Sequence, residues 1–597
     1  MFGYHGRYLR IDLTTGSSSW LPLPEDTLRR YIGGVGLGTY LLHQESPAAV
    51  DPLSPEAPLI FSLSPLVGTP LTTSAKFAVV AKSPLTNRLN DALSSSHFAL
   101  AAKKAGCDAI VIVGQCPERS LLVIDDGQVE VAPAEDLWGL SGEETTSRLS
   151  ARLGPRFHAA VIGPAGENLV RYATISHDKR HAGRGGLGAV MGSKRLKAVA
   201  VAGSQRVDVA DPAGVVAAAK DLSQRSFGPA TAKYRELGTV ANLLTFNRFA
   251  ALPTRNFQQG TFEGAAALSG EALNAARRVA RNSCAACTIG CEHIYAAPSG
   301  DVRLEYESLF ALGPLCGIGD PDTVLEAARK CDALGLDTIS AGATIAFAME
   351  CAEKGLLHEP GLRFGNDAMV LDLLERIARR QGLGDLLAEG TRKAAAVIGG
   401  GAADFAPQVK GLEIPGYEPR ALQTMALGFA VGSRGADHNR SGAYEVDFSE
   451  RTDRLNGSPQ AAVLAVETED RAALMDSLIL CKFLRGVFGD LFSEGAALLA
   501  RVTGWDVTAE ELRQVARRIV TAKKLYNMRE GWTAAEDTLP QRFLATGLVN
   551  GAATATLPSE RLRDMIQAYY AARGWDKDGV VSPHVVETLQ LEDMVWQ

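Results

Sequence analysis

The chain has no uninterrupted apolar run of about 18 residues, so it offers no segment that would cross a bilayer as a helix. It has no basic excess: 61 Lys and Arg stand against 68 Asp and Glu, a net charge of −7. That excludes the electrostatic footprint of a nucleic-acid binder. The first residues, Met1-Phe-Gly-Tyr-His-Gly-Arg7, show neither a basic-then-apolar export pattern nor a twin arginine. A reducing cytoplasm is therefore expected. The Gly-Lys-Ser/Thr order of a phosphate-cradling Walker loop is absent from Gly188 to Lys194. Cysteine is scarce, with nine in 597 residues. An odd count in so long a chain argues against a disulfide scaffold. What remains is an ordinary soluble composition, long enough for two to four domains with ample core.

Against that scarcity, three of the nine thiols fall within eight residues, Cys284-Ala-Ala-Cys287-Thr-Ile-Gly-Cys291. The C-x2-C-x3-C spacing lets one tight turn aim three sulfurs at a common point, as a thiolate-bound [4Fe–4S] cluster requires. A structural zinc is the competing reading. Zinc sites usually pair two C-x2-C knuckles or mix Cys with His, and His293 stands off the usual knuckle spacing. The fourth thiolate must come from Cys107, Cys116, Cys316, Cys331, Cys351 or Cys481.

Residues 1 to about 207 read as a β-rich unit. Short apolar runs recur at 8–13, 59–63, 77–81, 109–113, 121–124 and 197–201, and Asp125-Asp-Gly127 reads as a hairpin turn. Helical periodicity then dominates: 212–222, 270–281, 321–334, 338–354, 368–380 and 386–398. Gly399-Gly-Gly401 and Pro407 suggest a boundary near 411, before helices at 471–483, 510–530 and 560–572. The expected organisation is α+β: an N-terminal β-rich domain 1–207 and two mainly helical domains, 208–411 and 412–597. One internal echo crosses the helical units. Asp332-Ala-Leu-Gly-Leu-Asp337 and Asp476-Ser-Leu-Ile-Leu-Cys481 share Asp and Leu at equal offsets. Two such turns would grip two halves of one ligand, and the second ends on a candidate fourth sulfur. Chance likeness between helix ends is the plain alternative.

Two glycine clusters need weighing. Gly183-Arg-Gly-Gly-Leu-Gly188 matches G-x-G-x-x-G, but the charged residues before it do not read as a strand, so a dinucleotide site is not expected. Lys179, Arg180 and Arg184 instead offer a phosphate-binding loop, or else a solvated basic one. At Ile32-Gly-Gly-Val-Gly-Leu-Gly38, close packing competes with ligand contact. Glu305 and Glu307 would share a face if their stretch is extended. His438, in Arg434-Gly-Ala-Asp-His438, is a lone histidine, more often structural than catalytic.

Together these residues resemble the aldehyde:ferredoxin oxidoreductase family of tungsten (sometimes molybdenum) bis-pterin enzymes. The resemblance runs nearly end to end. It includes Gly6-Arg-Tyr-Leu-Arg-Ile-Asp-Leu-Thr-Thr-Gly16, Ala81-Lys-Ser-Pro-Leu-Thr86, Ile162-Gly-Pro-Ala-Gly-Glu-Asn168, the segments 183–194 and 284–291, Glu305-Tyr-Glu-Ser308, both Asp turns and Thr538-Leu-Pro-Gln-Arg-Phe-Leu544. It implies a β-rich base carrying a metal held by two pterin dithiolenes, with helical domains closing over it. It assigns Cys284, Cys287, Cys291 and Cys481 to a [4Fe–4S] cluster. Asp332 and Asp476 would accept pterin N–H bonds beside Leu336 and Leu480, and Asp337 and Thr338 would lie at the pterin or metal. Phosphate and Mg2+ contacts map to Lys76, Leu93, Ser95, Arg180, His181, Gly183 and Arg184. Glu307 and His438 match the pair near the metal.

The chain departs from the family pattern at Lys76, where Arg is common, at Leu93-Ser-Ser-Ser96, and at Ile479, where Gly is expected. Glu326-Ala-Ala-Arg329 stands where some archaeal members carry an E-x-x-H iron site, so that iron is not expected and the family dimer does not follow from the resemblance. The implied reaction is aldehyde plus water to carboxylic acid, with electrons passing to a ferredoxin or ferredoxin-like subunit and possibly to further redox subunits. Lys482 and Arg485 would face that partner, or form a solvated basic rim. The rival readings are the catalytic subunit of an ATP-independent aryl-CoA reductase and a pterin-free iron–sulfur carrier.

Overall fold

A computed structural model describes residues 1–551 and 553–595. The α+β expectation holds. The first 202 residues build two six-stranded sheets from β1 (Arg7–Asp12), β2 (Ser17–Pro22), β3 (Leu59–Ser62), β4 (Lys76–Lys82), β5 (Leu89–Ser95) and β6 (Ala109–Val113), then β7 (Ser120–Asp125), β8 (Gln128–Pro133), β9 (His158–Val161), β10 (Ile175–His177), β11 (Arg180–Ala182) and β12 (Leu196–Ala202). The strand runs read from the sequence fall in β1, β3, β4, β6, β7 and β12. The β7–β8 hairpin turns on Asp126 and Gly127, both at positive φ (48° and 84°), as a two-residue primed turn requires.

The sheets are duplicates of one another. Their strand orders are β2-β1-β6-β3-β4-β5 and β8-β7-β12-β9-β10-β11. Each has one parallel pair, β1 with β6 and β7 with β12, and the remaining pairs are antiparallel. Apolar residues from both sheets meet in a shared core that includes Phe61, Phe77, Phe98, Ile162 and Val199.

The remainder is mainly helical, with one small sheet, β13 (Arg278–Asn282), β14 (Glu292–Ala297) and β15 (Gly300–Arg303). The helices that place the site are α1 (Pro229–Leu237), α2 (Tyr306–Leu312), α3 (Pro321–Leu334), α4 (Thr338–Glu353) and α5 (Pro459–Leu478). Three sequence-based helices end or break short of expectation, the 471–483 helix stopping at Leu478 before left-handed Ile479. The 270–281 helix stops at Arg277 and passes into β13, and the 386–398 helix is split at Gly390, whose φ of +84° no helix accommodates.

Each Asp turn docks on one sheet. After α3, Gly335 turns left-handed (φ 78°, ψ 42°), and Leu336 N–H returns to the Cys331 carbonyl at 2.9 Å. After α5, Ile479 takes the same conformation (φ 63°, ψ 39°), and Leu480 N–H returns to Met475 at 2.8 Å. The missing glycine therefore leaves the backbone shape intact, at the cost of a strained β-branched residue. The first turn joins the second sheet through Thr174 N–H to Gly335 O (2.9 Å) and Asp337 N–H to Tyr172 O (3.1 Å). The second joins the first sheet through Ser64 Oγ to Leu478 O (2.7 Å) and Cys481 N–H to Thr73 Oγ1 (3.1 Å). The glycines at 32–38 serve this packing. A side chain on Gly34 would strike the Asp476 carbonyl, and one on Gly38 would strike Val80.

Candidate active site and thiol cluster

The four cysteines meet at one seam. Thr73 N–H donates to the Ala286 carbonyl at 2.5 Å, and Thr73 Oγ1 accepts from Cys481 N–H, so one residue ties both cysteine segments together. Its neighbour Thr72 binds Thr288 through backbone and hydroxyl, at 3.0 and 2.7 Å. The thiols share an electrostatic environment. Cys284 is held low by its bond from Cys287 and by Arg180, Lys76 and Ser95, whereas burial and the same bond raise Cys287. Burial also pushes Cys291 up, beside Glu305, Cys481 and Cys284. The other five cysteines are buried elsewhere. Among the described residues no group of three His, Cys, Asp or Glu side chains is placed to hold a single metal ion. His293 bonds Asn274 and the Arg235 carbonyl instead.

Beside this seam opens a cavity of about 540 Å3, within the range of small-molecule sites. Lys76, Leu93, Gly183, Arg184, Glu305, Glu307, His438, Asp476, Leu480 and Cys481 line it. Lys76 links the two regions. Burial would lower its ammonium, but Cys481, Cys284, Cys287 and Asp476 hold it up. The other assigned residues form the surroundings. Ser95 reaches Cys284, and Arg180 pairs with Glu292. His181 faces Asp332 at 3.2 Å. Asp337 caps α4 and meets Arg184 at 3.4 Å, while Thr338 bonds Ser308. Leu336 is buried against Ala173.

The 305–307 stretch is not extended throughout: Glu305 is (φ −119°, ψ 160°), but the chain turns helical after it. Glu305 immediately precedes α2, and Glu307 sits in that helix's first turn. Both still reach the cavity. Glu307 Oε2 accepts Gly416 N–H at 3.0 Å, while Oε1 is buried with no hydrogen-bond partner, 3.6 Å from His438 Nε2. Burial, only partly offset by the Gly416 bond and Arg184, raises Glu307 to about 8. Burial also lowers His438 to about 3, against the pull of Asp437, so its ring is neutral. His438 stacks on Tyr417 at 4.8 Å, and Tyr417 stacks on Tyr444 at 5.2 Å. Phe246 stacks on Tyr306 at 5.1 Å and meets Phe448 edge-on at 5.6 Å, completing an aromatic wall.

Sequence reasoning missed that wall, the Thr72-Thr73 seam and a buried ionic network. Asp91 is held low, despite burial, by Arg440, Lys523 and Arg434. Arg440 and Lys482 hold Asp476 at 3.3 and 2.9 Å. Lys482 and Arg485 thus depart from the outward-facing expectation. Both line the cavity, and Arg485 pairs with Glu445 at 2.6 Å. A carboxylate behind each one draws it inward. The G-x-G-x-x-G loop also differs in part, since the strand β11 does precede it. That strand is the edge of an antiparallel hairpin, and no parallel β-α-β unit follows.

The family model "Aldehyde ferredoxin oxidoreductase, N-terminal domain" matches residues 8–203, and "Aldehyde ferredoxin oxidoreductase, domains 2 & 3" matches 217–591. The chain belongs to the aldehyde ferredoxin oxidoreductase family. It is 38% identical to a tungsten-containing aldehyde ferredoxin oxidoreductase of Thermococcus kodakarensis, over all of both chains. It is 37% identical to the Pyrococcus furiosus enzyme of the same name, over 99% of this chain and 100% of the relative. An aliphatic sulfonate oxidoreductase subunit of Pyrococcus furiosus is 30% identical, over 99% and 97% of the two chains. Among solved structures, the active site complex BamBC of benzoyl coenzyme A reductase superposes with a TM-score of 0.84 at 26% identity, over 99% of this chain and 98% of that one. Within this aldehyde ferredoxin oxidoreductase family member, Arg329 grips Glu326 at 2.6 Å.

Proposed function

We propose that this protein oxidises aldehydes to carboxylic acids, RCHO + H2O → RCOOH + 2H+ + 2e−, and delivers the electrons to a ferredoxin or ferredoxin-like protein in the cytoplasm. The observation that carries this is Glu307: a buried carboxylate with a raised pKa and one unpartnered oxygen, facing a neutral histidine in a cavity beside four thiols. The cavity suits an anionic, phosphate-bearing group. Lys76, Arg184, Arg434, Arg440, Lys482 and Arg485 line it, and Gly183 faces open space.

On this reading Lys76, Leu93, Gly183 and Arg184, backed by Ser95, Arg180 and His181, hold the phosphates and Mg2+ of a tungsten or molybdenum bis-pterin. Asp332 with Leu336 and Asp476 with Leu480 hold its rings, and Asp337 and Thr338 brace the first turn. Cys284, Cys287, Cys291 and Cys481 bind [4Fe–4S]. When bound, such a cofactor would supply a two-electron acceptor next to the one-electron cluster that the four cysteines would hold. Glu307 takes the proton from water or substrate. His438 hydrogen-bonds the carbonyl oxygen. The aromatic wall excludes water and seats the aldehyde's side chain. The aldehyde-named relatives, at 36–38% identity, support this above the CoA-ester chemistry of the structural neighbour.

The test is anaerobic dye reduction with a panel of aldehydes. Stoichiometric carboxylic acid supports the reading, and CoA-dependent arene reduction without acid formation overturns it. The pH profile is a sharper check. A base must be unprotonated, so kcat/KM should rise with pH and level off above about 8. A profile already flat from pH 6 removes Glu307 from that role.

Phe448 is 40% exposed at the cavity mouth. Phe448→Ala should raise KM for benzaldehyde by about two- to tenfold, the worth of one aromatic contact, and leave acetaldehyde nearly unchanged. Equal effects on both substrates would place the substrate elsewhere.

A further inference from the structure

Electrons that reach the thiol site must leave it, and the inward-turned Lys482 and Arg485 do not mark the exit. The neighbouring face, where α1 packs on that turn through Tyr234 and Phe483 (4.1 Å between rings) and continues to β13, has the features of one. β13 is an edge strand, exposed at four of its five residues, and it ends two residues before Cys284. Val279 on β13 and Phe227, just before α1, are each 55% exposed. β13 and the Phe227 segment are joined. Arg235 of α1 lies over the Phe227 ring at 5.7 Å, and Arg281 Nη1 donates to the Arg235 carbonyl at 3.3 Å.

The patch also touches the cysteine loop. Ser226 Oγ lies 2.7 Å from Thr288 Oγ1, and Arg281 Nε lies 3.5 Å from where a side chain on Gly290 would begin. Its charge is unlike that of the whole chain, which is −7. Arg235, Arg278 and Arg281 form no ion pair among the described residues, whereas Arg225 and Arg277 nearby are both paired. Glu236 is the one acid that α1 and β13 carry.

We propose that β13 and the Phe227–Arg235 face form the docking surface for an acidic, one-electron iron–sulfur carrier protein. The inference rests on the cluster reading of the four cysteines. Exposed apolar centres rimmed by unpaired charge steer and seat partners of opposite sign. So small a patch suits a transient encounter better than a permanent subunit. Each encounter moves one electron, oxidising the protein's cluster and reducing the carrier's centre. Two encounters therefore clear the electron pair from each aldehyde.

The test uses the anaerobically purified holoenzyme and an acidic bacterial ferredoxin, with Kd measured by titration at about 0.05 M and about 0.3 M salt. Arg278→Glu with Arg281→Glu should weaken binding about tenfold at low salt, and the difference from wild type should shrink at high salt. Phe227→Ala should weaken binding at both salts. Dye-linked turnover and cluster absorption should stay near wild type in both variants. Unchanged ferredoxin affinity in both overturns the proposal, as does a wild-type preparation that binds only a second copy of itself, or DNA, through this face. A wild type that binds ferredoxin but oxidises no aldehyde refutes the proposed function and leaves the docking surface supported.

Discussion

Glu307→Gln should cut aldehyde turnover at least about 100-fold while leaving metal and iron content unchanged. The substitution is nearly isosteric, and its carbonyl can still accept the Gly416 N–H. What it loses is the oxygen that faces His438 without a hydrogen-bond partner. The rising limb of the pH profile should disappear with it, because that limb belongs to the titration of this carboxyl. A merely structural role predicts lower stability with turnover per cluster intact. Near-normal turnover in a fully loaded variant would reject Glu307 as the base.

Cys481→Ala should cost more than activity. On the proposed ligation it removes one of four thiolates. Its backbone N–H can still reach Thr73, so the turn should persist. The variant should fold, lose most of its iron, and reduce dye at under about one-tenth of the wild-type rate, since the cluster is the electron outlet. Cys316→Ser is the contrast. That thiol is buried away from the seam and bonds the Ala311 carbonyl at 3.4 Å, so folded chains should keep their iron. Retention of the full iron complement in Cys481→Ala would mean that the distal ligand is another residue.

Local signals in the sequence were legible, and long-range ones were only partly so. The strands at 59–62 and 109–113 announce themselves by apolar runs, and α3 by apolar residues at helical spacing from Pro321 to Leu334. The Asp-turn echo was visible because both turns solve one backbone problem with like residues. The duplication of the sheets beneath them was not. Leu-Ile-Phe-Ser of β3 and His-Ala-Ala-Val of β9 fill equivalent places with no residue in common. Burial asks only for apolar bulk at those places.

The ionic network was equally silent. Arg434 reaches the Asp91 carbonyl across 343 positions in sequence, and Lys523 reaches its carboxylate across 432. The direction of Lys482 and Arg485 depended on the same unseen partners. A basic pair beside a cysteine reads as surface until Asp476 and Glu445 are placed behind it. At Ile479, where glycine is expected, the tertiary contacts of the second Asp turn impose the left-handed conformation on a β-branched residue.

Elemental and pterin analysis of protein purified without oxygen tests the central claim most directly. The account predicts about four iron atoms, about one tungsten or molybdenum atom and about two pterins per chain. Iron and sulfide alone, with neither heavy metal nor pterin in an otherwise intact protein, would contradict it.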